Sequence, residues 1–274
     1  MLPTTGPVCD AHMHVFELAS ASAAGQTRIV GEIPPGSLAQ YREVAKRLGI
    51  QRCVVVQPSH FGTDNRTTLA AVRALGDKDA RAVVIPAPQA SEAELVRLAS
   101  AGAVAARVFL LRDTGLGTAD LERLADRVAP LGWHLEVQCE GRELAGLLPV
   151  LARLPVASVV DHLGRMPKDT RAQDRLFGAL VDHVAGPRGW VKLSAPYHNS
   201  RGRASGFSDL RGQVEALAAA APGRIVWATN WPHVQFAQKP DDLALANELL
   251  ALLPDARLAR QILVDNPAEL YRFD

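Results

Sequence analysis

Eight short, apolar, β-branched runs alternate with eight longer amphipathic segments along the chain, and that alternation admits few architectures. The runs cover residues 8–16, 52–57, 81–86, 103–110, 134–139, 157–161, 190–194 and 225–229. The segments cover 37–48, 65–75, 91–101, 118–131, 142–154, 170–184, 208–220 and 241–253. Their apolar residues fall three and four apart, the period of a helix with one face on a core. Eight strand–helix units predict a (β/α)8 TIM barrel of the α/β class, with its active site at the C-terminal ends of the strands. Strands buried on both faces read as unbroken apolar runs, as these do. An open doubly wound sheet is the runner-up, but no glycine-rich fingerprint follows the first strand. Residues 1–274 show no repeat or linker, so one domain is expected.

Local signals agree with this division. Ser91 with Glu94 predicts a capping box, and Asp64 is placed to cap 65–75. Gly49, Gly102, Gly132 and Gly223 fall where helices should end in a left-handed residue. Segments 19–31 and 199–207 read as long loops following strand ends, where they can border a pocket.

Thirty basic residues against 29 acidic ones give a net charge of +1, which argues against a nucleic-acid partner. Cys9, Cys53 and Cys139 each sit in a strand-like run and read as buried, reduced thiols, so a cytoplasmic location is expected. No apolar stretch reaches the ~18 residues of a membrane span. The first eight residues lack a basic segment followed by an apolar block, so no secretory signal is expected.

The barrel hypothesis makes the ends of the strands informative. The first ends in Asp10-Ala11-His12-Met13-His14, and the second runs into Gln57-Pro58-Ser59-His60. The fourth carries Arg107, with Arg112 just beyond, and the fifth ends near Gln138. The sixth ends in Asp161-His162-Leu163-Gly164-Arg165. The seventh passes from Lys192 and Ser194 to Tyr197-His198-Asn199, and the eighth ends in Thr229-Asn230-Trp231-Pro232-His233. His12 and His14 are two apart on a strand and so share a face. Together they suit a metal or a substrate carbonyl, or else form a hydrogen-bonded core pair. His162 reads either as a third imidazole at the same mouth or as a strand-end residue bonded to a loop. Arg107 interrupts an apolar run and needs an anion, either a substrate carboxylate or an internal acid. No nucleophile elbow, P-loop or Cys-x-x-Cys pair is present.

Asp-x-His-x-His on the first strand, Asp-His-x-Gly-Arg after the sixth and Trp-x-Thr-Asn-Trp-Pro-His on the eighth together resemble the amidohydrolase superfamily. They are most similar to its amidohydrolase-2 branch, which includes pyrone-dicarboxylate and sugar-lactone lactonases. Segments 57–65 and 265–271 extend the resemblance over the whole chain. It implies a (β/α)8 fold and hydrolysis of a lactone, a small-molecule cyclic ester, bearing carboxylates. It maps the imidazoles around the reacting carbonyl to His12, His14 and His162. Substrate contacts map to Ser59, Arg107, Arg112 and Arg165, and the active-end residues His198 and His233 complete the candidate set. An arginine is expected after the seventh strand, where this chain has Tyr197-His198-Asn199, with Arg201 further on.

The larger departure is Asn230, where the family carries an aspartate that activates water. An amide has no useful basicity near neutral pH. Two explanations are open: an engineered Asp→Asn exchange, the working expectation because the rest of the site is kept, or a natural loss of the base. The branch implies no metal. The alternative is one zinc at His12, His14 and His162, opposed by the Arg107 cation on the fourth strand. A zinc-dependent decarboxylase, a lactone isomerase and a silent lactone-binding homologue are the competing functions.

Overall fold

The structure is a computed structural model that describes residues 2, 5–17, 35–110, 117–202, 206–236 and 238–273. Eight strands form one parallel sheet in sequence order: β1 (Val8–Met13), β2 (Ile50–Val56), β3 (Ala80–Val84), β4 (Ala103–Phe109), β5 (His134–Gln138), β6 (Ser158–Val160), β7 (Gly189–Leu193) and β8 (Ile225–Trp227). A helix follows each: α1 (Leu38–Leu48), α2 (Arg66–Leu75), α3 (Glu92–Ser100), α4 (Thr118–Val128), α5 (Gly141–Leu151), α6 (Arg175–Ala185), α7 (Arg211–Ala220) and α8 (Asp242–Leu250). This is the (β/α)8 barrel. Two short helices, α9 (Ala256–Arg260) and α10 (Asn266–Tyr271), close the described chain around a π-helical turn, Gln261–Asp265. The alternation did not separate these last elements from a loop. No helix among the described residues is long and apolar enough to cross a membrane.

The core has two layers, and strand parity decides which residue joins which. Val54, Val56, Val83, Ala105, Val159 and Val226 pack inside the barrel. Val55, Val84, Val108, Leu135, Val160 and Val191 face outward onto helix residues such as Leu95, Leu121, Leu144, Phe177 and Leu217. Each fully buried Val or Leu contributes roughly 1.5–3 kcal/mol relative to exposure. Tyr271 and Phe273, from and just after α10, join the inner layer.

β1 breaks its own parity, and the break creates the site. Cys9 and Ala11 belong to the inner layer, yet Met13 packs in the outer one. A register shift between Asp10 and Met13 accounts for the change. The bulge leaves His12 and His14 inward and Asp10 outward. Asp10 accepts hydrogen bonds from Thr229 N (2.9 Å), Thr229 Oγ1 (2.6 Å), Tyr41 Oη (3.1 Å) and His12 N (3.1 Å). With His14 N to Trp231 O (2.9 Å) and Asn230 N to His12 O (2.9 Å), it ties β1 to the end of β8.

Ser37 caps α1 in a full capping box with Gln40, while Ser91 accepts from Glu94 N. Asp64 accepts from Arg66 N at the start of α2. Gly49, Gly102 and Gly132 take positive φ as anticipated. Gly223 differs: it lies within a 3-10 turn, Pro222–Arg224, without positive φ, because Ala221 already ends α7. The segment expected as helix from 170 becomes helical only at Arg175, after turns at Thr170 and Asp174. The three cysteines are free and buried. Segment 19–31 and residues 203–205 of the second long loop lie outside the described residues.

Candidate active site

A buried charge network fills the barrel beneath its C-terminal mouth. On β5, His134, Glu136 and Gln138 alternate inward, and β7 brings Lys192 to the same depth. Lys192 Nζ meets Glu136 Oε2 at 2.5 Å, His12 Nδ1 at 3.1 Å and Asp161 Oδ1 at 3.4 Å. Tyr271 Oη donates to Glu136 Oε1 at 2.8 Å. Arg107 Nη1 donates to the Gln57 carbonyl (2.7 Å) and Nη2 to Gln138 Oε1 (2.5 Å), with Asp161 Oδ2 at 4.0 Å. Two cations thus balance two carboxylates in a dry interior, the condition under which buried charge is tolerated.

The same surroundings keep the imidazoles neutral. Burial, then the Lys192 charge, lowers His12 to about 4, against a partial upward pull from Asp161. Burial likewise holds His14 and His162 well below the ordinary range. Burial alone would raise the Asp161 carboxyl, but Lys192 and His12 outweigh it and hold it well below the carboxylate norm. His198 is lowered to about 3, by burial and then by the Arg165 guanidinium.

Above the network lies a cavity of about 240 Å³. Its floor and sides come from His14 after β1, Ser59 and His60 of a 3-10 turn after β2, and Arg107 and Phe109 on β4. Gln138, His162, Tyr197, His198, Asn230, His233 and Gln235 add polar groups, with Phe16, Pro58 and Val234 as apolar wall. No acid lines it among the described residues, and Arg107 is its fixed charge. Such a lining selects a small, polar, anionic molecule. The His162 ring leans on Ser194 Oγ through Nδ1 (2.8 Å), leaving its other nitrogen to the cavity it lines.

The backbone here is unusual. Among the described residues, six of the seven non-glycine positions with positive φ are His162, Leu163, Arg165, Ala195, Asn230 and His233, all just past β6, β7 and β8. Each such residue costs on the order of 1–3 kcal/mol and is kept where it aims a side chain. Asn230, at φ 61°, is among the types that tolerate it best. The loop after β6 is also wedged: a Cβ on Gly141 would lie 2.6 Å from the Arg165 carbonyl oxygen.

A directed chain orients Asn230. Its Nδ2 donates to Tyr197 Oη (2.7 Å), Tyr197 Oη lies 3.0 Å from His233 Nδ1, and His233 Nε2 lies 2.9 Å from Asp242 Oδ1. The Asp242 carboxylate accepts a hydrogen bond from His233 Nε2–H, so in the neutral ring Nδ1 accepts from the tyrosine and the tyrosine oxygen accepts from the amide.

The residues singled out in the sequence therefore separate by depth. His14, Ser59, Arg107, His162, His198, Asn230 and His233 line one cavity. His12 does not: it is fully buried beneath His14, because the bulge sets it one layer lower. Arg165 reaches an adjoining cleft with Glu140 and Lys168, and touches the central site only through the His198 ring at 3.2 Å. Arg112 lies outside the described residues. Sequence reasoning gave no role to Glu136, Lys192, Tyr197 or Asp242. For the first two the signal was present, a charge at an inward strand position inside an apolar run.

The donors at the barrel mouth decide whether zinc can be held. His12, Asp161 and His162 offer ligand atoms within 4.8 Å of one another. The Lys192 ammonium already holds His12 Nδ1 and Asp161 Oδ1, and Arg107 stands beside the other carboxylate oxygen. His14, the third ligand of the sequence alternative, is occupied on both nitrogens, by Val56 O at 2.7 Å and His12 Nε2 at 3.3 Å. A dication placed among these groups would face two fixed cations, so this donor set does not fit zinc.

Comparison with known proteins shows the family. The family model described as amidohydrolase matches residues 9–273. The chain is 34% identical to the D-galactarolactone isomerase of Agrobacterium fabrum (strain C58), over 88% of this chain and 84% of the relative. It is 32% identical to a 2-pyrone-4,6-dicarboxylate hydrolase of Comamonas testosteroni, over 96% and 89%. A crystal structure of an Agrobacterium tumefaciens protein, in apo form, superposes with a TM-score of 0.88 at 31% identity, over 99% of this chain and 98% of that one.

Proposed function

This chain belongs to the amidohydrolase family, and from that membership and the lining of its cavity we propose that it acts on carboxylated lactones and moves the ring ester from one substrate hydroxyl to another. The observation that carries the reading is Asn230, whose amide donates to Tyr197 and has no proton-accepting power toward water. Hydrolysis needs a base to activate a weak external nucleophile. A hydroxyl of the substrate itself starts beside the carbonyl at high effective molarity, and makes a smaller demand on a base. It attacks the lactone carbonyl, the former ring oxygen leaves, and the proton of the attacking hydroxyl passes to it; no water is consumed.

In this reading His162 and Arg107 hydrogen-bond the carbonyl oxygen as charge develops there, and His12 supports the His14 ring from below. Arg107 attracts the substrate carboxylate, with Ser59, His198 and His233 as polar contacts. The reaction runs without a metal in this reading, since the charge network occupies the place of one.

A second reading is hydrolysis, favoured by the likeness of the whole chain to a 2-pyrone-4,6-dicarboxylate hydrolase and a 4-sulfomuconolactone hydrolase. It applies where position 230 carries aspartate, as in the engineered-exchange explanation, which the codon at that position decides. The two substrates named for the relatives separate these readings. 2-Pyrone-4,6-dicarboxylate has no hydroxyl and can only be hydrolysed, whereas a D-galactarolactone can isomerise. With chelator present, isomerisation of the second and no opening of the first is expected. Efficient opening of the pyrone by this chain would overturn the proposal.

A further inference from the structure

Lys192 is fully buried on β7, and the chemistry above makes no use of it. An ammonium has three N–H donors and no acceptor. Its neighbour His12 Nδ1, at 3.1 Å, must therefore be the accepting nitrogen, without a proton of its own. A neutral His12 then carries its proton on Nε2. The far end of the chain gives the same answer independently. His14 Nδ1 lies 2.7 Å from the Val56 carbonyl, which can only accept, so the His14 proton sits on Nδ1 and its Nε2 is bare. His12 Nε2 stands 3.3 Å from that bare nitrogen, a contact that attracts only if His12 Nε2 bears the hydrogen. Two fixed ends impose one direction on the whole chain.

We infer that Lys192 is a positioning residue of this site: clamped by Glu136 and Asp161, it fixes His12 as the Nε2–H tautomer, so that this N–H is donated to His14 Nε2 and holds the His14 ring at the cavity floor. The His14 and His162 rings lie with centroids 4.8 Å from that of His12, one on either side. The competing acceptor is Asp161 Oδ1, 3.5 Å from His12 Nδ1. Without the ammonium, His12 moves its proton to Nδ1, donates to Asp161 and leaves two lone pairs opposed across the His12–His14 contact. The His14 ring then loses the donor that orients it at the cavity floor, beneath the point where the carbonyl oxygen of a bound lactone would develop charge. The kinetic consequence rests on the proposed lactone chemistry; the tautomer is a property of the protein alone.

The test uses the full chain labelled with 15N-histidine, with long-range 1H–15N spectra reporting which ring nitrogen of each imidazole is protonated. A His12→Asn spectrum assigns the His12 signals. The expected wild-type result is His12 protonated on Nε2 and His14 on Nδ1. In Lys192→Met, and in the charge-neutral pair Lys192→Met with Glu136→Gln, the His12 Nε2–H signature is lost. On the lactone that the wild type converts, kcat falls about 100-fold while KM stays within about threefold. Wild-type His12 protonated on Nδ1 would overturn the inference, whether or not the variants fold. So would a folded variant that keeps both the Nε2–H signature and wild-type kcat. A correct tautomer in a chain that converts no lactone would leave the inference standing and remove the proposed function instead.

Discussion

Asn230 Nδ2 donates to Tyr197 Oη at 2.7 Å, so the residue standing where a water-activating carboxylate would be needed is tied into the protein as a donor. Tyr197 is in turn held by His233, and His233 by Asp242. The end of β8 thereby presents an oriented amide, and in the proposed reaction the nucleophile comes from the substrate.

Asn230→Asp replaces that amide with a carboxylate of nearly the same shape at a backbone position aspartate also tolerates. The variant should gain hydrolysis of 2-pyrone-4,6-dicarboxylate by about 10²-fold or more over this chain, the usual contribution of a general base. Loss of the pyrone absorbance with time checks this. Equal rates in both proteins would remove residue 230 from the reaction.

His162→Gln should lower kcat on a lactone about 10²–10³-fold with little change in KM, as expected for a donor that acts mainly in the transition state. Steady-state kinetics separate the two constants. A change confined to KM would reassign His162 to ground-state binding.

Asp10 concerns stability, since it accepts four hydrogen bonds outside the catalytic cavity and joins β1 to β8. Asp10→Asn turns half of that acceptor into a donor facing hydroxyls and N–H groups. A loss of about 2 kcal/mol is expected, read from the midpoint of urea unfolding. An unchanged midpoint would show that the barrel closes without this carboxylate.

Stability should decline as pH falls from about 6.5 toward 4, and the sign follows from which state binds more protons. His12 is lowered to about 4 and His198 to about 3, from an ordinary 6.5, and His14 and His162 are also lowered, in each case chiefly by burial. Below about pH 6.5 the unfolded chain protonates these rings while the folded chain keeps them neutral, so the unfolded state gains. Asp10, raised by burial from 3.8 to about 6, works in the opposite sense between those values. His60, His134 and His183 are lowered in the same direction, so seven imidazoles oppose one carboxyl and unfolding takes up protons near pH 5. Melting temperatures between pH 7.5 and 5 check this, and a flat or rising trend with acidification contradicts it.

The barrel was legible because both of its signals are local: the short apolar run of a strand such as β4, and an apolar residue every third or fourth in α1 or α4. Once the fold was fixed, strand ends named much of the cavity lining, including His14, Arg107 and His162. Depth was not legible. The bulge that turns Asp10 outward and sinks His12 beneath His14 is a matter of register between β1 and β2, which periodicity within one strand does not encode. Lys192 finds Glu136 across 56 residues of sequence, a pairing set by how β5 and β7 face each other inside a closed barrel. Asp242 was read only as part of the last helix, and its bond to His233 shows only once α8 is packed.

The central claim is that this cavity exchanges one lactone for another without using water. Converting a D-galactarolactone in H2(18)O, with chelator present, and following lactone and open acid by NMR and mass spectrometry tests it directly. The expected result is an isomeric lactone that forms faster than any open acid and carries no 18O. Open acid formed first, with one 18O per molecule, would contradict the claim and make this chain a hydrolase despite its asparagine.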